Sequence, residues 1–457
     1  MEIVEPLAIN IDLGDMPWNF MEKLRRASDK PKEGIQATIF RVPENIRRTN
    51  VDSFEPKMFS LGPYHHGKQL FQATDERIKL PCASNFFRGA MIGDLQRIVV
   101  QLKDWESDLR CAYSEQISMS SDEFVEMMLL DCAFMAEFLR ERCESIKIIK
   151  MQEGGPRIEM EEYSWKWAAP SIINDMLVVE NQFPLRPLLY LFEKCGWDDI
   201  INIGGTFYSL MQQIHRNLSP TWRFNLRVRS DPLIDSSSHL LHLFHSSLII
   251  VEPRYRERRL HNTDLSSFPS AEMLQAMRIQ FTNKINCESF LDITFDASKR
   301  SMEIPQFLIN DDNISLLRNL IAFEQQCRGV GYYISTYVWF MDCLINTDRD
   351  VAVLRKHNII VSRLRSDEEV AHIFNQLRRT DAPVVDFDNF YLAEVMINVK
   401  SHCRNRTNIL CALWNFSWLK QNYFKNRWVT IGVTAAVFFN LLTLVQTVYA
   451  VLSYAKQ

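Results

Sequence analysis

The chain has 457 residues, 47% hydrophobic and 24% charged, with a formal net charge of −4. That balance suits a globular protein with a sizeable core and excludes a disordered or fibrous chain. A charge so small for this length gives no global attraction for nucleic acid, and no nucleic-acid partner is expected. Ten cysteines lie scattered without a CxxC pair, the pattern of reduced thiols in a body facing the cytosol. The opening MEIVEPLAINIDLGDMPWNF is acidic and lacks the basic-then-apolar order of a secretory signal.

Residues 1–34 read as a poorly ordered lead-in containing the polar run RRASDKPKEG, and residues 35–61 as short extended pieces and turns. Ser121, Asp122 and Glu123 open a predicted helix with apolar Phe124, Met127, Met128, Phe134, Met135 and Phe138. A second helical run, SIINDMLVVENQFPLRPLLYLFEKCGW, is expected to break or bend at Pro184. Residues 215–270, rich in Arg, Ser and Pro, read as a loop-rich insert around one short helix. SFLDITF and SMEIPQFLI predict a two-stranded unit with its turn at DASKR. Asp312 or Asn313 is placed to cap ISLLRNLIAFEQQC, and Ser366 with Glu369 forms a capping box for DEEVAHIFNQLRR. A further helical pattern runs on from about Tyr391.

The last feature is the most distinctive. Val429 to Leu452 is free of ionisable side chains, and as a helix its 24 residues would cover ~36 Å, enough for a ~30 Å hydrocarbon core. Trp414, Trp418, Tyr423 and Trp428 alternate with Lys420, Lys425 and Arg427 before it, and Tyr449, Tyr454 and Lys456 lie at its far end. Such rings and cations suit the headgroup zone. Residues 428–454 are thus expected to form a transmembrane helix, with Asn440 and Gln446 as its strongly polar interior side chains. More cations precede the span than follow it, which predicts a cytosolic body. The sequons at Asn217, Asn313, Asn405 and Asn415 then read as chance occurrences.

Taken in order, IFRVPENIRRTN, FEPKMFSLGPYHHGK, EFVEMMLLDCAF, NDMLVVENQFP, LDITF, EIPQFLI, LLRNLIAFEQQC, TYVWFMDCLINTDRDVAVL, SDEEVAHIFNQL and KNRWVTIGVTAAVFFNLLTLVQTVYAVLSY resemble the plant domain-of-unknown-function 247 family. The resemblance runs from about Ile35 to the end. Asn358 and Arg365 stand where that family often has glycine, and Arg427 where proline is common. The resemblance implies a plant protein with a mostly helical domain over residues 35–425, a C-terminal membrane helix and no established catalytic activity. Some grass members serve as pollen-side determinants of self-incompatibility, a role the resemblance brings within reach here.

No GxSxG, Walker A, GxGxxG, HExxH or EF-hand loop is present. The GPYHHG turn offers Tyr64, His65 and His66 as an exposed loop, either as acid–base or metal-binding imidazoles or, the reading adopted, as a structural turn. His239, His242 and His245 recur every third residue, so that on a helix two could share a metal, and they read instead as solvated histidines on a helix face. Asp131, Asp175, Glu180, Glu324 and Asp342 lie inside apolar runs, where an unpaired carboxylate is costly. Two of them acting as an acid–base couple is one reading. The favoured one is a structural polar network with helix N-termini, Arg41, Arg47 or the amides of Asn181, Gln182, Gln325 and Gln326. Arg254, Arg256, Arg258 and Arg259, with Arg223, Arg227 and Arg229, read as a solvated, exposed loop able to meet an acidic partner or anionic lipid.

The sequence therefore predicts a mainly α fold with a small β element, a helical globular body plus one C-terminal transmembrane helix. Its expected work is that of a non-enzymatic interaction or recognition module on the plasma membrane or an endomembrane. The expected partners are the lipid bilayer and another protein, with no cofactor and no metal. The alternative is an enzyme of uncatalogued type that uses the buried carboxylates or the GPYHHG histidines.

Overall fold

A computed structural model describes residues 37–48, 50–87, 92–150, 168–194, 203–219, 238–249, 268–285, 287, 289–380, 385–386, 389–404, 438–440, 442–443 and 445–447. The body is mainly helical with few strands. The chain divides into two compact units: Met1–Ile214 with Leu226–Ser247 and Ser315–Gly331, and His215–Asn225 with Leu248–Ile314 and Tyr332–Gln457.

The first unit is built around the helix Ser121–Lys150. Ser120 caps it: the Ser120 hydroxyl accepts the Glu123 amide at 3.3 Å, and the Glu123 carboxylate accepts the Ser120 amide at 2.9 Å. This reciprocal arrangement satisfies two amides that the helix itself cannot. From Asp131 to Leu139 every side chain is buried, so this stretch is a core helix enclosed on all sides. Leu80–Phe87, Ile92–Cys111 and Leu185–Lys194 pack against it. The Phe59 ring meets Phe134 edge-on at 5.0 Å.

Two local features of this unit depart from regular helix. Between Gln69–Thr74 and Leu80–Phe87 the chain makes a π-helical turn, Asp75–Lys79, which turns Lys79 into the core at 3% exposure. Such turns insert a residue and re-aim a side chain. The run expected to stay helical as far as Pro184 does not: Ala169–Met176 ends eight residues earlier, and Leu177–Pro184 is irregular. Val178 and Val179 are β-branched, and the polar side chains of Glu180, Asn181 and Gln182 find better partners outside a helix.

The second unit carries more strand than expected. β1 (Gln280–Asn283), β2 (Thr294–Asp296) and β3 (Ser301–Ile304) form a sheet in the order β1-β3-β2. Phe281 pairs with Met302 in the parallel ladder and Phe295 with Met302 in the antiparallel one. The hairpin turn is held by Asp296, whose carboxylate accepts the Ser298 and Lys299 amides at 2.9 and 3.2 Å. β4 (Phe307–Ile309) leaves this sheet to pair in parallel with β5 (Ile360–Ser362). The predicted hairpin is therefore present over β2 and β3, while β4 belongs elsewhere. Asn358, with φ 56°, adopts the left-handed conformation that explains why glycine suits this position.

Helices Asp311–Gln326, Asp367–Thr380 and Ala393–Cys403 follow the expected order, and two further helices, Tyr333–Leu344 and Asp348–Lys356, lie between the first two. Neither Asp312 nor Asn313 caps the first of these. Asn310 does, accepting the Asn313 amide at 2.8 Å, while the Asn313 side chain donates to the Leu308 and Asn217 carbonyls. Ser366 accepts the Glu369 amide at 3.2 Å as predicted, but Glu369 returns its carboxylate to the Arg365 amide. Phe290, Phe307 and Tyr337 form the aromatic centre, with Phe290 and Tyr337 at 4.7 Å.

The lead-in 1–34, most of the insert 215–270 and most of the expected span 428–454 lie outside the described residues. Within the insert, Leu240–Leu248 is a helix. Within the span, residues 438–440, 442–443 and 445–447 are helical and exposed. Among the described residues no helix is long and apolar enough to cross a membrane.

Asp350 is the polar centre of the second unit, 2% exposed and accepting the amides of Glu272, Asn346 and Thr347. Asp350→Ala leaves these donors without their acceptor and is expected to cost about 3 kcal/mol. Urea unfolding followed by tryptophan fluorescence measures this as a lower midpoint.

Candidate functional site: a polar clamp on an N-terminal loop

The segment Lys57–Gly62 forms no helix and no ladder, yet Phe59 to Gly62 are all buried. Side chains supply the missing acceptors. Asp175 takes the amides of Lys57, Met58 and Phe59 at 2.8, 2.6 and 3.2 Å. Asn181 takes the Leu61 amide at 2.6 Å, and Asp131 takes that of Gly62 at 2.7 Å. Lys79 closes the circuit from the other side, donating to the Ser60 carbonyl and pairing with Asp131 at 2.7 Å and Asp75 at 3.0 Å.

Burial raises the pKa of Asp131 and Asp175, against the pull of Lys79 on the first and of three amides on the second. Burial works against the Lys79 ammonium too, but Asp131 and Asp75 outweigh it and hold its pKa above the usual lysine value. Gly62 sits at φ +65°, and a Cβ there would lie 2.3 Å from the Gln182 carbonyl oxygen. Only glycine fits that approach.

Glu180, fully enclosed, holds the preceding segment. Its Oε1 accepts the Val42 amide at 2.8 Å and its Oε2 pairs with Arg47 at 2.6 Å and Arg41 at 3.6 Å. Arg41 lies 4.4 Å from the centre of the Tyr64 ring. The GPYHHG turn is not the exposed triplet that the sequence suggests. Tyr64 is 6% and His65 0% exposed, and only His66 faces solvent. The reason is Tyr64's edge-on contact with Tyr113 at 5.4 Å and the ring of polar groups around His65. Lys68 Nζ donates to His65 Nδ1 at 2.8 Å, and Glu180 lies 3.7 Å from Nε2. Burial, with Lys68 beside it, pushes the His65 pKa down to about 3.

Gln182 extends the clamp. Its amide donates to the Met176 and Val178 carbonyls, and its carbonyl accepts the Leu241 amide at 3.0 Å. The helix so reached, Leu240–Leu248, corrects another expectation: His239 and His245 are buried, and only His242 is half-exposed. Leu240, Leu241, Leu243, Phe244 and Leu248 fill one face of it, and the opposite, histidine-bearing face is covered as well, because Phe323 packs among the three rings. The three histidines surround the Phe323 ring, and His245 Nε2 lies 2.9 Å from Glu324. Burial pushes His239 down to about 3 and His242 to about 4.

The remaining candidates stand apart from the clamp. Asp342 pairs with Arg378 at 2.6 Å in the second unit, and Gln325 is half-buried. Asn440 and Gln446 are exposed on the C-terminal helix. Arg223, Arg227, Arg229, Arg254, Arg256, Arg258, Arg259, Trp428 and Tyr449 lie outside the described residues. Lys79 and Asn319 join the clamp without a sequence signal. Asn319 accepts the Val179 amide at 2.9 Å and donates to the Ser53 carbonyl at 2.7 Å. Among the described residues no group of three or more histidine, cysteine or carboxylate side chains is placed to hold a metal.

Fold and clamp together define a mainly helical protein whose N-terminal loop is locked by carboxylates and amides from much later in the chain. Residues 39–442 match the family model DUF247, described as plant protein of unknown function, and the chain belongs to that family. It is similar to two proteins of Arabidopsis thaliana. The UPF0481 protein At3g47200 is 27% identical over 443 residues, covering 91% of this chain and 86% of the relative. The putative UPF0481 protein At3g02645 is 20% identical over 472 residues, covering 80% and 84%. No solved structure matches the chain.

Lys79→Met removes one partner of a buried pair and is expected to cost about 3–5 kcal/mol, read as a lowered thermal midpoint. Acid is expected to destabilise the fold. An unfolded histidine takes a proton near its ordinary pKa of about 6.5, whereas His65, His215 and His239 stay neutral to about 3 and His242 to about 4. Below 6.5 the unfolded state binds more protons, so stability present at pH 7 falls by up to about 1.4 kcal/mol per pH unit for each ring. Raised Asp131 and Asp175 act in the opposite sense, while lowered Glu55 and Asp296 act in the same sense as the histidines. Urea midpoints measured between pH 7.5 and 5 check the slope.

Proposed function

We propose that the chain is a recognition module held on a membrane by residues 428–454, with its body in the cytosol. The observation that carries this is the set of large apolar side chains left uncovered on the C-terminal helix. Phe438 is 62%, Phe439 66%, Leu442 43% and Val445 50% exposed, within a run that has no ionisable residue. Lipid is the solvent that such a face suits. The polar side chains of the same helix support it too, since Thr443 and Thr447 return their hydroxyls to the Phe439 and Thr443 carbonyls.

A cytosolic body agrees with Asn313, whose buried side-chain amide donates to two carbonyls, so that a glycan on this sequon is incompatible with the packing. A recognition role, as opposed to catalysis, is supported by the carboxylates of the clamp: the Asp131, Asp175 and Glu180 oxygens are occupied by amides, Lys79 or Arg47. Groups so engaged hold structure and are poorly placed to move protons. The insert 215–270 is the proposed carrier of specificity, as a pollen-side self-incompatibility determinant would require, with another protein as its partner.

Protease protection of intact membranes, combined with glycosidase treatment, tests the proposal. Expected is a protein that resists carbonate extraction, with a body that is digested from the cytosolic side and carries no glycan. Removing residues 428–457 should send the body to the soluble fraction. A protected, glycosylated body would overturn the orientation, and a full chain extracted by carbonate would overturn the anchor.

A further inference from the structure

The helix Leu240–Leu248 starts on two imidazoles. His239 stands at the N-cap, its carbonyl accepting the Leu243 amide at 3.0 Å and its Nδ1 accepting the His242 amide at 3.3 Å. His242 returns its own Nδ1 to the Ser238 amide at 3.2 Å. The pair imitates a capping box in which ring nitrogens replace the usual oxygens. His239 Nε2 lies 3.0 Å from the Thr38 carbonyl, an acceptor, which fixes the proton on Nε2 and leaves Nδ1 free to accept. Gln182 takes the Leu241 amide, so the first turn is tied to the clamp by uncharged groups alone.

An imidazolium has no acceptor nitrogen. Protonating His239 or His242 therefore ejects a backbone amide from its bond. It also sets a positive charge on the positive end of the helix dipole. The protein groups facing the two rings offer that charge little relief, and water reaches His242 alone of the two. Thr38 and Gln182 are neutral, Phe323 presents its ring at 5.2 and 5.4 Å, and His245 is a further base on the same helix. The carboxylate beside them, Glu324, is already engaged by His245 at 2.9 Å.

We propose that this histidine-capped N-terminus is an acid-sensitive latch: proton uptake by His239 and His242 frees the helix Leu240–Leu248, and with it the middle of the insert 215–270, from Thr38 and Gln182. The latch is shut at neutral pH and opens on acidification. The two rings share one opening event, so opening takes up two protons. Its equilibrium constant then rises as pH falls below the ordinary histidine value, by up to about a hundredfold per pH unit.

Hydrogen exchange on the full chain in detergent micelles tests this, with protection factors corrected for the intrinsic pH dependence of exchange. Between pH 6 and 5 the protection of Leu241 and His242 should fall roughly fiftyfold. The helix Asp348–Lys356, capped by Thr347 and Asp350, should keep its protection. His239→Asn with His242→Asn retains an acceptor at each cap without a titrating ring, and its protection should not change with pH. A parent helix indifferent to pH, or an asparagine variant that still opens, overturns the proposal. Should that variant fail to fold, ring nitrogen shifts of the parent decide. Both Nδ1 atoms should be unprotonated at pH 6 while the amides stay protected, and a ring that titrates near 6.5 without loss of protection overturns the latch.

Discussion

Every backbone amide removed from water needs an acceptor, and the stretch from Lys57 to Gly62 has none in its own neighbourhood. Five of its amides go instead to Asp175, Asn181 and Asp131. The rest of the first unit follows from that demand. Asp131 must be carried on a helix buried all round, which places Ser121–Lys150 at the centre. Buried Asp131 needs a cation, and the π-turn delivers Lys79. Asp175, in the last turn of its helix, and Asn181, in the irregular segment after it, must face the same loop, so the helix Ala169–Met176 has to stop where it does.

This economy also bears on what the site can do. Carboxylates inside apolar helices are what a search for acid–base chemistry would pick out. Here their oxygens are spent on amides, on Lys79 and on Arg47, which is the work of groups that define one conformation.

Much of this was legible residue by residue, and the failures have physical causes. A charge in an apolar run is conspicuous because it is costly, so Asp131, Asp175 and Glu180 stand out from composition alone. The amides they meet do not, since a backbone N–H has no letter of its own and the partners lie 69 to 138 positions away. Lys79 is hidden in DERIK, an unremarkable polar string until the π-turn rotates it inward. The histidine triplet misleads because three-residue spacing on a helix looks like a wet face, whereas Phe323, from far along the chain, packs against that face. β1 and β5 escape because each is short and parallel, and its partner is remote.

The distance between loop and clamp has a consequence for biosynthesis. Phe59 waits for Asp175, 116 residues later, and the Ser53 carbonyl waits for Asn319, 266 residues later. At a ribosomal rate of roughly 5–20 residues per second the first of these waits lasts about 6–23 s. During that time the N-terminal segment cannot take its final shape, and its apolar side chains Phe54, Phe59 and Leu61 remain open to other contacts. Topology of this kind folds slowly. A nascent chain of this protein is thus a natural client for chaperones that hold an N-terminal segment until the middle of the chain has been made.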